Sequence, residues 1–200
     1  CFMFAQKFHP AMRYVSTARK QLASRTAFNL LGPLSNPANV KNQLVGVFSI
    51  EYLDRLPALL KRKGAENIMT VRSDDGMDEF STSSTNRVCI LRDDKVLMNA
   101  IDPEVVGLHK SSLRDIQIKT KQDAIESFVG VLNNSANQAM IETTALNAAG
   151  GLIVANIADN FEQGVEIALK TIKDGKAISL LEKFVSETGD IEKLKEITNG

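Results

Sequence analysis

Two hundred residues are enough for one sizeable domain with a buried core. The 24 basic and 24 acidic side chains cancel and no stretch is a basic run, which argues against a protein that lives on nucleic acid or on an anionic membrane. No apolar run approaches the ~20 residues needed to span a bilayer, and two cysteines, Cys1 and Cys89, are too few for a disulfide framework or a zinc site.

A reducing cytoplasm is therefore the expected compartment. The opening CFMFAQKFHP lacks a basic stretch before it and a small-residue cleavage site after it, so it does not read as a signal peptide. The chain begins on Cys rather than Met and is expected to be a fragment.

In chain order, His9-Pro10 followed by AMRYVSTARKQLA predicts a helix start, with Pro at the first helical position. Residues 28–42, FNLLGPLSNPANVKN, carry two prolines, a glycine and four asparagines, and predict a long ordered loop. QLVGVFSI (43–50) is apolar and β-branched, as in strands buried on both faces. Residues 51–63 predict a helix ending in KRK and closed by Gly64, in which Pro57 forces a kink or a late start. NIMTVRS (67–73) predicts a second buried strand, and TNRVCILRD with KVLMNAI predicts a hairpin around Asp93-Asp94.

The last third reads as helical. Ile125, Phe128, Val129 and Leu132 share one helical face. MIETTALNAAGG (140–151) is a further helix stopped by paired glycines. Phe161, Val165, Leu169 and Ile172 form another face, ended by Gly175, and Leu180, Leu181, Phe184 and Val185 form the last. There is no internal repeat or Pro/Gly-rich linker. The expected fold class is α/β, a mostly parallel sheet flanked by helices.

One connection stands out. RSDDGMDEF (72–80) crowds Asp74, Asp75, Asp78 and Glu79 around Gly76, directly after the second predicted strand. Ligands of open α/β sheets bind beyond the carboxyl ends of the strands. Mg²⁺ takes hard oxygen ligands, commonly one or two carboxylates with substrate phosphates filling other positions, and Asp78-Glu79 suits that use. A solvated acidic turn explains the same residues, with Asp hydrogen-bonding its own backbone. The pattern alone leaves both readings open.

Three strings decide what the acidic turn keeps company with. FMFAQKFHPAM (2–12), RTAFNLLGPLSNP (25–37) and DGMDE (75–79) occur in that order, and LNAA (146–149) follows. The chain resembles the C-terminal part of the anthranilate phosphoribosyltransferase family, over essentially all 200 residues, with a nucleoside phosphorylase/phosphoribosyltransferase-like fold. That family moves the phosphoribosyl group from phosphoribosyl diphosphate to the amine of anthranilate, in tryptophan biosynthesis, with Mg²⁺.

The resemblance implies metal ligands at Asp78 and Glu79. It implies that Arg19 meets the anthranilate carboxylate, a role for which a guanidinium fork is suited. His9, Gly32 and Pro33 match segments lining the anthranilate path; no residue is assigned as an acid or base. Ten helical steps separate His9 from Arg19, which places them about 80° apart around an axis, on adjacent faces. Plainer readings exist: Arg19 as a surface cation beside Arg13 and Lys20, His9 as a helix-start residue, Gly32-Pro33 as turn chemistry. Asp74 and Asp75 are expected to be turn residues, and His109 to lie on the surface.

The family's glycine-rich G-T-G-G-D loop, which cradles phosphate, and its K-H-G-N-R string do not occur in these 200 residues. The family's N-terminal helical domain, which generally carries its homodimer contact, is not matched either. Residues 1–200 are accordingly expected to be part of the α/β phosphoribosyl-transfer domain, and to turn over little or no substrate alone. Three rival readings fit the residues less well. A pyrimidine nucleoside phosphorylase would carry an arginine-led base-binding stretch in place of FNLLGPLSNP. A nucleic-acid-binding relative of the same fold would need a basic groove. A purely structural protein would have no use for the DGMDE and HPAM strings.

Overall fold

The structure is a computed structural model that describes residues 2–22 and 28–198; the side chains of residues 5, 6, 16–20 and 28 lie outside that description. Its centre is a four-stranded sheet in the order β1 (Asn42–Gly46), β2 (Asn67–Ser73), β3 (Asn86–Arg92), β4 (Lys95–Ile101). Side chains alternate across a strand, and here each face meets a different core. Met69 and Val71 of β2 and Val88 of β3 join Phe80, Leu146, Phe161 and Val165. Ile68 of β2, with Cys89 and Leu91 of β3, joins Leu53, Leu56 and Leu60 on the other face. Helices α6 (Gln138–Val154) and α7 (Phe161–Lys173) cover the first face, and α4 (Arg55–Arg62) covers the second, so the sheet is the middle of three layers.

The α/β class with a helix-flanked sheet is as the sequence predicts, but the expectation of a mostly parallel sheet needs correcting for these strands. Only β1–β2 is parallel; β2–β3 and β3–β4 are antiparallel. The physical reason for the last pair is the two-residue connection, in which Asp93 and Asp94 both take positive φ (49° and 62°), the geometry of a tight hairpin turn. β1 is also shorter than predicted. It ends at Gly46 and runs along the sheet edge with one buried residue among five, so it is not buried on both faces.

Near the N-terminus, α1 (Ala5–Phe8) precedes a 3₁₀ turn, Pro10–Met12, which opens into α2 (Arg13–Leu22) as the Pro at its first position favours. Residues 28–42 are not wholly loop: Phe28–Leu34 forms α3 with Pro33 in its last turn. Pro33 there removes one intrahelical bond, and Ser35 closes the end by donating its N–H (2.9 Å) and Oγ (2.6 Å) to the Leu31 carbonyl. Helix α4 starts late, at Arg55, which puts Pro57 in its first turn where no donor is needed. Gly64 beyond it has φ +89°.

The helical tail comprises α5 (Lys121–Leu132), α6, α7, α8 (Lys176–Thr188) and α9 (Ile191–Thr198). Helix α6 runs through the paired glycines instead of stopping there. A Cβ on Gly150 would lie 2.7 Å from the Phe80 ring, so that glycine marks close packing rather than a helix end. The predicted apolar faces of α5 and α8 are only partly used: Phe128 and Leu180 are exposed, and no residue of α8 is buried. No described helix is long and apolar enough to cross a membrane.

Candidate active site

The acidic stretch leaves the end of β2 and is folded by its own backbone. Ser73 donates its N–H to the Met77 carbonyl (3.0 Å) and accepts from the Gly76 N–H (3.0 Å), with Gly76 at φ +103°, a region open to glycine. Its first two carboxylates are committed to this fold. Asp74 receives both Nε (2.7 Å) and an Nη (3.1 Å) of Arg87, and the Asp74 N–H donates to Thr85. Asp75 accepts the Met77 N–H (3.0 Å) and the Ser83 hydroxyl. Burial pushes the Asp75 carboxyl up, but hydrogen bonds from Ser81, Ser83 and Met77 outweigh it and hold it below the usual aspartate range.

Asp78 and Glu79 differ. Both are exposed, and no hydrogen bond or ion pair to another described residue engages their carboxylates. Burial, then the neighbouring Asp78 charge, pushes the Glu79 carboxyl above the usual glutamate range. Their backbone, by contrast, is held closely. The Asp78 carbonyl oxygen lies where a Cβ on Gly46 would come within 1.5 Å of it, so the turn rests directly on the end of β1. Phe80, the next residue, is fully buried, with its ring against Phe161 (centroids 5.3 Å apart). Asn147 of α6 accepts the Phe80 N–H (3.0 Å) and donates to the Phe80 carbonyl (2.7 Å).

A cleft of about 650 Å³ opens beside this pair, lined by Pro33 in the last turn of α3 and Asn36 beyond it, by Gln43 to Gly46 of β1, and by Asp78 and Glu79. The structure thus brings Pro33 to the same cleft as the acidic pair. Gly32 is exposed and not among the cleft's lining residues. His9 is half-buried before the 3₁₀ turn, makes no side-chain cap, and does not line the cleft. Arg19 lies on α2, but its side chain is outside the described ones, as are residues 25–27 of the RTAFNLLGPLSNP string. His109 is exposed, and it binds the buried Glu142 through both its N–H and its ring Nδ1 (2.8 Å each).

The donor set fits Mg²⁺ of the phosphate-completed kind. Two adjacent carboxylates supply hard oxygens, and a cation would relieve the Asp78 repulsion that, after burial, raises the Glu79 carboxyl. Among the described residues no group of three or more His, Cys, Asp or Glu side chains could hold an ion unaided. An ion held by this pair would take its remaining ligands from phosphate and water.

Two residues that shape this site carry no sign of that role in the sequence, although Asn147 belongs to the LNAA string (146–149). Gly46 sits in an apolar run where a strand glycine at most hints at close backbone approach. Asn147 falls inside an alanine-rich helix, where its spacing to residue 80 cannot be read.

Comparison with known proteins gives the class. The family described as glycosyl transferase family, a/b domain, matches residues 1–178, and the chain belongs to that family. Within it, the chain is 87% identical over all its 200 residues to the anthranilate phosphoribosyltransferase of Nitrosopumilus maritimus, of which it spans 58%. The solved anthranilate phosphoribosyltransferase of Thermus thermophilus superposes with a TM-score of 0.84 at 34% identity, over 92% of this chain and 54% of that one. The Saccharomyces cerevisiae enzyme in complex with PRPP and Mg superposes at 0.76 and 25% identity, over 89% of this chain and 51% of that one. The chain therefore spans little more than half the length of the relatives it matches.

Proposed function

We propose that this chain belongs to an anthranilate phosphoribosyltransferase of cytoplasmic tryptophan biosynthesis. The reaction joins the anthranilate amine to C1 of the ribose of phosphoribosyl diphosphate, giving N-(5-phosphoribosyl)anthranilate and diphosphate. The observation that carries the reading is the cleft in which Pro33 of the LLGPL string faces the unengaged carboxylates of Asp78 and Glu79. The names of the relatives, and the PRPP and Mg of the yeast complex, support the same substrates and metal.

Bound Mg²⁺ would neutralise the charge that builds on departing diphosphate. On this reading Asp78 and Glu79 are its protein ligands, fixed in place by the Gly46 and Phe80 contacts of their backbone. Pro33 borders the anthranilate side of the cleft; the family resemblance adds Gly32, His9 and Arg19 to that side, Arg19 supplying the cation for the carboxylate. Orientation of the amine toward C1 then carries much of the catalysis, because an aromatic amine needs little activation by a base.

The glycine-rich phosphate loop and the N-terminal helical domain belong, in this proposal, to parts of the complete protein outside residues 1–200. Homodimer formation goes with that domain. The 200 residues alone would turn over little or no substrate. The alternative of a pyrimidine nucleoside phosphorylase finds no support among the relatives compared.

The test is Asp78→Ala with Glu79→Ala in the complete protein. Mg²⁺-dependent turnover should fall on the order of 10²-fold or more, with the melting temperature little changed because neither carboxylate bonds another described residue. Unchanged turnover would overturn the metal role.

A further inference from the structure

The carboxylates of Asp78 and Glu79 are free while the backbone bearing them is gripped from two sides, and neither grip comes from the acidic turn itself. From α6, Asn147 meets both polar groups of the Phe80 backbone, accepting its N–H and donating to its carbonyl, while the same amide donates to the Thr143 carbonyl (2.9 Å). That is the bonding a neighbouring strand would provide, supplied by one side chain where the ladder has ended. The third bond, within α6, fixes the amide itself, so the clamp has a defined direction. From β1, the absence of a Cβ at Gly46 lets the Asp78 carbonyl settle onto the strand end.

We propose that Asn147 and Gly46 are positioning residues that set the separation and direction of the Asp78 and Glu79 carboxylates toward a divalent cation. The inference rests on the metal role proposed above. Mg²⁺ tolerates little departure from octahedral geometry at about 2.0–2.1 Å, so a shift of the turn by a fraction of that length is felt as lost affinity. Groups that orient metal ligands without touching the metal typically matter by about 10–100-fold in affinity. Asn147 touches neither metal nor substrate in this scheme and acts only through the residue that follows Glu79.

The experiment uses the complete protein with Mn²⁺ as the probe, titrated by electron paramagnetic resonance in the presence of phosphoribosyl diphosphate. Amide hydrogen exchange at Phe80 is read separately in metal-free protein. Asn147→Ala should speed exchange at Phe80 and weaken Mn²⁺ binding by about 10-fold or more, leaving the anthranilate KM unchanged. Gly46→Ala attacks the same turn from the opposite side and should weaken Mn²⁺ binding comparably. It decides the matter on its own should Asn147→Ala fail to fold.

Faster exchange at Phe80 with Mn²⁺ affinity held within about twofold would overturn the positioning role, since a purely structural contact would give that result. The underlying metal role fails differently: Asp78→Ala with Glu79→Ala would then bind Mn²⁺ as the unmodified protein does, whatever Asn147 does.

Discussion

Asp74 and Asp75 have their carboxylates tied down, one by the fork of Arg87 and the other by Ser83 and the Met77 N–H. Asp78 and Glu79, a few residues on in the same turn, have their backbone tied down and their carboxylates left open. The same residue types serve two ends. In the first half the acid groups build the turn, and in the second the turn presents the acid groups. A carboxylate that closes a turn is already satisfied and has little left for a metal, whereas one with no partner must find water or a cation. Counting acidic residues misses this division; asking where each one's hydrogen bonds go reveals it.

The contrast can be broken most forcefully at its anchor. Phe80 is fully buried in the core that covers one sheet face, so Phe80→Ala should cost about 3–5 kcal/mol in a denaturant titration, as large-to-small core changes do. A loss under about 1 kcal/mol would mean that the second half of the turn is not held from the core at all.

Asp75→Asn should have a smaller effect, about 1 kcal/mol or less at neutral pH for hydrogen bonds to a partly exposed group. Its sign follows from the lowered folded value. The Asp75 contribution is present above the ordinary aspartate range and is lost as pH falls through that range toward the folded value. Unfolding curves of the variant and the unmodified protein should therefore separate at neutral pH and converge in acid.

Glu79→Gln should show the least effect, and the opposite slope. With the folded value raised, the folded protein keeps its proton longer, so stability declines as pH rises from the ordinary glutamate range through the raised value. The glutamine variant lacks that decline and should be at least as stable as the unmodified protein at neutral pH. A clear loss of stability in Glu79→Gln would erase the distinction between the halves.

Much of this was legible in the chain itself. The short apolar run in NIMTVRS, the Asp93-Asp94 turn and the helical faces around Val129 and Val165 each follow from local rules, because propensity and burial act there over a few residues. Misreadings cluster where a distant partner decides. Gly150 reads as a helix stop because glycine is a poor helix former, yet the Phe80 ring needs the space it leaves. Residues 28–34 read as loop because of their proline and asparagine content, yet Pro33 falls in a last turn that Ser35 closes. The leucines of α8 read as a buried stripe, yet Leu180 is exposed and Leu181 only half-buried.

The sequence by itself determined the α/β character, the place of the acidic turn after β2, and the strings that tie the chain to its family. Which carboxylates are free was decided only in three dimensions. Asp74 is silenced by Arg87 across a hairpin, and Asp78 and Glu79 are set by a glycine on β1 and an asparagine on α6. Those partners lie far away in the chain and carry no spacing rule, so only the packing of strand, turn and helix brings them to one place.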